Sequence, residues 1–192
     1  GAVVNNDYHA LTTELALGFK DFISPDAPDI YPEELRADID ALNVIIYADF
    51  NLAVNLAALV TNQKDYEYYY DRIFARLDWL EERLSKQRYL MGDTITDSDI
   101  RIFPTLARFD LVFYQKYLVN KKRLVDYPNL WNYAKDLYSN PAFGGTTDFD
   151  SMRKRFYYVD HTPFEDLPRL VPKGPDDSIW LEPNDRAEKF GK

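Results

Sequence analysis

The chain contains no cysteine and two histidines, His9 and His161, so its polar chemistry rests on carboxylates, amides, hydroxyls, phenols and basic side chains. Thiolate nucleophiles, disulfides and cysteine metal sites are excluded within it. The two histidines are too far apart and too poorly accompanied to argue for a metal site, and no metal is expected. Asp110 falls on an inward helix face, one turn after Leu106 and Ala107, where a charge is costly unless paired. It reads either as a buried structural carboxylate bonded to backbone amides, Arg101 or Arg108, or as a catalytic carboxylate. Phe156, Tyr157 and Tyr158 follow Arg153, Lys154 and Arg155, which sets phenols beside cations in an otherwise acidic chain. Anionic or phenolic ligands suit this cluster, as does packing in a core or interface. Asn51 and Asn55, one helical turn apart, share a small polar flank with Ala48, Leu52, Ala58 and Leu59. Such a flank fits a cleft, a docking surface or an ordinary solvated face. The run Tyr66, Tyr68, Tyr69 and Tyr70 reads as packing and surface rather than a platform for stacking bases.

These groups need helices to hold them. Thr96 lies three residues before Asp99, the spacing of a capping box in which hydroxyl and carboxylate each satisfy an otherwise bare amide. Ile95 and Ile100 can close around it as a hydrophobic staple. The device is structural, and it starts a helix carrying Ile100, Phe103, Ala107, Tyr114 and Tyr117, with a kink expected near Ile100 to Pro104. No glycine occurs between Phe19 and Met91 and no proline between Glu33 and Phe103, so long helices are expected in between. Leu35, Ile39, Leu42, Ile46 and Phe50 predict one helix from Pro32 to Thr61. Tyr66, Tyr70, Ile73, Leu77, Leu80 and Leu84 predict a second from Lys64 to Lys86, antiparallel to the first. Shorter helices are expected over Asp7 to Asp21, Pro128 to Tyr138 and Asp148 to Tyr158. The fold class is all-α, a helical domain over residues 1–160. An extended tail over 161–192 is draped on it, because its periodicity is low.

With 192 residues, 46% hydrophobic and 16% aromatic, the chain can bury a substantial core. A net charge of −9 argues against nucleic acid and anionic membrane as partners. No apolar run approaches the ~20 residues of a bilayer span, and the first residues lack the pattern of a signal peptide. The expected location is cytosolic.

Several blocks, taken in order, carry a resemblance. LDWLEERL, QRYLMGD, DIRIFPTLARFD, DYPNLWNYAKDLY, Asp148-Phe149-Asp150 and VPKGP resemble the C-terminal helical domain of glutathione transferases. The likeness is nearest to the Xi class, the glutathionyl-hydroquinone reductases, and runs from Gly1 to about Pro175. It implies a thioredoxin-like domain ahead of the helices. That domain's cysteine attacks a glutathionyl adduct, and a second glutathione resolves the mixed disulfide. On this resemblance the chain begins where that domain ends, glutathione is the co-substrate, the substrate is a small phenol or quinol, and the protein is a homodimer. The helices would line the substrate cleft. The family's first substrate-side tyrosine aligns with Asn55, and its second with Tyr157 or, allowing a one-residue gap, Phe156. Its Asn-Glu-Ser near the first helix reads Asn6-Asp7-Tyr8 here. These departures leave room for a different low-molecular-weight thiol, or for a non-catalytic binding or assembly module that keeps the fold.

Overall fold

The computed structural model describes residues 1–8, 10–24, 27–157 and 170–191. His9, His161, Tyr158 and the boundary expected at 160/161 lie outside these residues. Among the described residues the helices are α1 (Leu11–Gly18), α2 (Arg36–Ile46), α3 (Ala53–Leu59), α4 (Gln63–Leu84), α5 (Asp97–Arg108), α6 (Tyr114–Lys116), α7 (Pro128–Ser139), α8 (Pro141–Gly144), α9 (Phe149–Tyr157) and α10 (Arg186–Phe190). There is no strand among them, only an isolated bridge between Tyr89 and Gly92. The all-α architecture expected from the sequence is therefore present.

The long middle helix α4 forms for local reasons. The Asn62 side chain caps it by accepting from the Asp65 amide at 2.9 Å. Ile73, Phe74, Leu77, Leu80 and Leu84 then put one apolar face into the core, against α3 and α7.

The helix expected from Pro32 to Thr61 is not regular. Its hydrogen-bond ladder widens into a π-helical turn over Tyr47–Asn51, closed by the Leu52 amide donating to the Tyr47 carbonyl at 2.8 Å. The extra residue is held from two sides. Arg72 and Arg76 of α4 pair with Asp49, the latter at 2.6 Å. Asn51 donates to the Arg101 carbonyl at 3.1 Å and accepts from the Thr105 hydroxyl at 2.9 Å. A second π turn, Phe109–Phe113, replaces the continuous helix expected beyond the capping box, while Pro104 sits inside α5. Asp110 lies in this second turn and accepts from the amides of Leu124, at 2.5 Å, and Val125, at 3.2 Å. Both turns thus put a carboxylate where it ties neighbouring chain.

The helical stretch Glu33–Leu59 is long and apolar enough, by composition, to cross a membrane. The sequence reading, that no unbroken apolar run approaches a bilayer span, still holds, because polar residues interrupt this stretch. An average over the stretch tolerates Asn43, Asp49 and Asn51. Its inner side, including Ile39, Leu42, Ile46, Phe50 and Val54, is packed into the core.

Two features of the second half have no counterpart in the expected elements. The four-residue α8 is started by Asn140, whose side chain accepts from the Ala142 amide at 3.0 Å. It ends at Gly144, where a Cβ would lie 2.2 Å from the Tyr138 carbonyl oxygen, so only glycine fits. Residues 170–191 carry a 3₁₀ turn, Asp177–Leu181, and α10. Trp180 inserts from that turn against Trp131 at 4.7 Å and against Tyr138 and Phe149, each at 5.4 Å between ring centres.

Candidate functional site

The capping box lies buried in the core. Asp99 is fully buried, and one oxygen accepts from the Thr96 amide at 2.8 Å and the Thr96 hydroxyl at 3.0 Å. The other oxygen accepts from the Leu90 amide at 3.0 Å and the Tyr133 hydroxyl at 2.6 Å. Burial raises its pKa against the opposing effect of these bonds, and the Tyr133 phenol is raised well above its ordinary value by the same burial and by the neighbouring carboxylate. No substrate reaches this pair. Asp110 is likewise raised by burial, opposed by its two backbone bonds, and serves the 124–125 loop.

A cleft of about 880 Å³ opens between the end of α3, the start of α4, and the last turns of α6 and α9. Asn55, Tyr66, Lys116, Tyr117, Arg155 and Phe156 line it. Two of these, Asn55 and Phe156, are candidates already in the sequence, and the fold brings them to one space from about a hundred residues apart. Asn55 is one turn beyond the π turn and donates to the Asn51 carbonyl at 2.9 Å. That bond fixes the amide on the wall of the cleft. Phe156 stands edge-on to Phe113 and Tyr117, each at 6.2 Å between ring centres. Its carbonyl accepts from the Lys116 ammonium.

Tyr157 is not among the residues lining the cleft. It sits beside it, half-buried, its hydroxyl donating to the Leu111 carbonyl at 3.3 Å and its ring facing the Lys116 ammonium at 5.5 Å. Burial, and then the neighbouring Tyr117, raise its pKa, so the phenol is neutral at physiological pH.

Tyr66, Lys116, Tyr117 and Arg155 complete the cleft, and the sequence alone does not assign them to a site. Tyr66 donates to the Leu118 carbonyl at 2.7 Å, and burial raises its pKa, with Glu67 adding to the effect. Leu118 holds φ at 59°, a left-handed turn that ends α6 abruptly and lets its carbonyl meet Tyr66. The signal for Tyr66 is its place in the inward series of α4. For Arg155 it is the basic cluster before the aromatics. Lys116 and Tyr117 carry none that separates a cleft wall from a core edge. The Tyr8 segment is tied to α5, because Arg101 donates to the Tyr8 carbonyl at 2.9 Å and pairs with Asp97 at 2.5 Å. Among the described residues no group of three or more metal-ligating side chains occurs.

Residues 63–136 match the family model described as the glutathione S-transferase C-terminal domain. The chain is 35% identical over 173 residues to the glutathionyl-hydroquinone reductase PcpF of Sphingobium chlorophenolicum, covering 90% of this chain and 54% of that protein. It is also similar to the solved structure of a glutathione transferase from Gordonia bronchialis, with 43% identity, a TM-score of 0.92, and coverage of 99% of this chain and 59% of that one. The Xi glutathione transferase of Phanerochaete chrysosporium is 34% identical with a TM-score of 0.86, covering 96% of this chain and 59% of its own. The chain spans about half the length of the curated relatives it matches. Its helices take the glutathione transferase C-terminal-like helical fold of these structures, and the chain is similar in sequence to a glutathionyl-hydroquinone reductase and a Xi-class transferase.

Proposed function

We propose that this chain is the substrate-facing helical part of a glutathione-dependent transferase or reductase of the glutathionyl-hydroquinone reductase kind. The observation that carries the reading is the shared cleft. Asn55, aligned with the family's first substrate-side position, and Phe156, the one-residue-gap alternative to Tyr157 for the second, line one space together with Tyr66 and Tyr117. An aromatic wall, an amide and phenolic hydroxyls suit a quinol, whose ring packs while its oxygens exchange hydrogen bonds. Tyr157, the better-aligned candidate for the family's second substrate-side position, lies beside Phe156 with its hydroxyl bonded at 3.3 Å to the Leu111 carbonyl. On this reading, as the resemblance implies, the thiolate that attacks a glutathionyl adduct comes from a thioredoxin-like domain rather than from this cysteine-free sequence, with glutathione as co-substrate and a homodimer as the working unit.

Saturation-transfer NMR of the chain with p-hydroquinone and with its glutathionyl adduct tests the binding half. Both should bind, Phe156→Ala should weaken them roughly tenfold, and Asn55→Tyr should retain or tighten them. Binding that ignores both substitutions sinks the quinol assignment.

One observation favours the other class. An amide stands at position 55 and a tyrosine at position 8, where the family carries a phenol and a serine. A non-catalytic binding or assembly module therefore stays the second reading. It predicts that supplying a cysteine-bearing thioredoxin-like domain yields no thiol-dependent reduction of the adduct, whereas the enzymatic reading predicts that reduction appears only then.

A further inference from the structure

Beyond the cleft, the far side of α9 carries a second groove. An apolar trough of about 310 Å³ runs between α5 and α8, lined by Ile100, Phe103, Pro104, Phe143 and Met152 among others. It meets a shallower space of about 260 Å³ in which Arg108, Thr146, Asp148, Ser151 and Arg155 converge. Arg108, Thr146 and Met152 border both spaces, so trough and polar end are continuous.

The charges at that end are out of balance. In a chain with net charge −9, acids outnumber bases; the fully buried Arg186 is held by backbone carbonyls, while Arg101 and Arg88 have carboxylate partners in Asp97 and Asp136. Among the described residues Arg108 has none. It is partly buried, its side chain donates to the Pro104 carbonyl at 2.6 Å, and burial lowers its pKa with no acid opposing. Arg155, across the space, is exposed and carries no ion pair among the described residues. Asp148, the acid in this space, is engaged with Ser151, accepting from its amide at 2.9 Å and its hydroxyl at 2.7 Å to start α9. Desolvating a guanidinium without a counter-charge is costly, and an incoming anion offsets that cost.

We propose that this groove binds a small organic carboxylate with an aromatic body, the carboxylate between Arg108 and Arg155 and the ring along Phe103, Phe143 and Met152. Guanidinium forks match the two oxygens of a carboxylate, and the trough supplies the apolar contact that a free inorganic anion would not use. The site is separate from the quinol cleft and shares only the α9 residues Arg155 and Phe156 with it.

Calorimetric titration of the chain with 2-naphthoate, beside the uncharged and similarly shaped 2-naphthamide, tests the proposal. Naphthoate should bind saturably and the amide at least roughly tenfold more weakly, since charge-assisted bonds are lost. Arg155→Gln, at an exposed position, should weaken naphthoate roughly tenfold with an unchanged circular-dichroism melt, and Arg108→Gln should do the same. Asn55→Ala should leave naphthoate binding unchanged. Equal binding of acid and amide, or no effect of Arg155→Gln, overturns the proposal. So does a loss caused by Asn55→Ala rather than by Arg108→Gln, which assigns the anion to the quinol cleft. A dimer in sedimentation velocity that Pro104→Arg dissociates, with no naphthoate bound, overturns it in favour of a second copy of the chain. Arg108 lies outside the quinol cleft and Asn55 outside this groove, so these two arms let this site and the quinol reading fail separately.

Discussion

The Asp99 carboxylate accepts from two amides and two hydroxyls with no access to water. Removing it leaves the Leu90 amide, the Thr96 amide and the Tyr133 phenol buried without an acceptor. Asp99→Ala should therefore cost about 3 kcal/mol or more in urea denaturation, against about 1 kcal/mol for Thr96→Ala. Equal losses would mean that the box works only as a helix start. The spacing of Thr96 and Asp99 is legible in the sequence because a cap is a local device. Tyr133, from α7, is not, because nothing local to residues 96–99 specifies which distant hydroxyl will point at them. The same holds at the cleft. Asn55 and Phe156 can be nominated one at a time by resemblance. The sequence leaves Phe156 and Tyr157 as alternatives, and the structure puts the phenylalanine on the cleft wall and the Tyr157 hydroxyl against Leu111.

At the scale of elements, the two π turns separate the periodicity that predicts a helix from the register that places its side chains. One inserted residue rotates everything after it by about 100°, so the turn at Tyr47–Asn51 sets the direction in which Asn55 faces. The apolar series from Leu35 to Phe50 announces a helix but not the bulge, since the bulge is held by α4 and α5. Asp49 is the more testable of its anchors. Burial works to raise its pKa, but the hydrogen bonds and charges of Arg72 and Arg76 outweigh burial and hold it below the ordinary value. A depressed folded pKa stabilises above the unfolded value, about pH 4, and that contribution is lost as pH falls through the folded pKa. Wild-type urea midpoints should therefore drop on acidification below about pH 4, and Asp49→Asn should lower the midpoint at pH 7 and flatten this acid limb. A parallel acid limb in the variant would show that the pair with α4 does not contribute.

At the scale of the whole molecule, the last residues close the fold. Arg186 of α10 is fully buried and donates to the carbonyls of Leu84, at 2.7 Å, Gln87, and Arg88, at 2.5 Å, capping the end of α4 from about a hundred residues away. Arg186→Met keeps the apolar stem and removes the donors. It should cost about 2–4 kcal/mol in urea denaturation and raise amide exchange at the end of α4 before that of its centre. Uniform exchange along α4 would argue against a cap. The low periodicity after Thr162 predicts a draped tail, and it is silent on this arginine and on Trp180, whose partners are fixed only once α4, α7 and α9 have packed. By itself, then, the sequence determined the all-α class, the long α4, the start of α5 and the absence of a thiolate, because caps, period and composition act over a few residues. Only the tertiary structure decided the π registers, the α10 lock and the joining of Asn55 with Phe156, because each depends on groups far apart in the chain meeting across a packed interior.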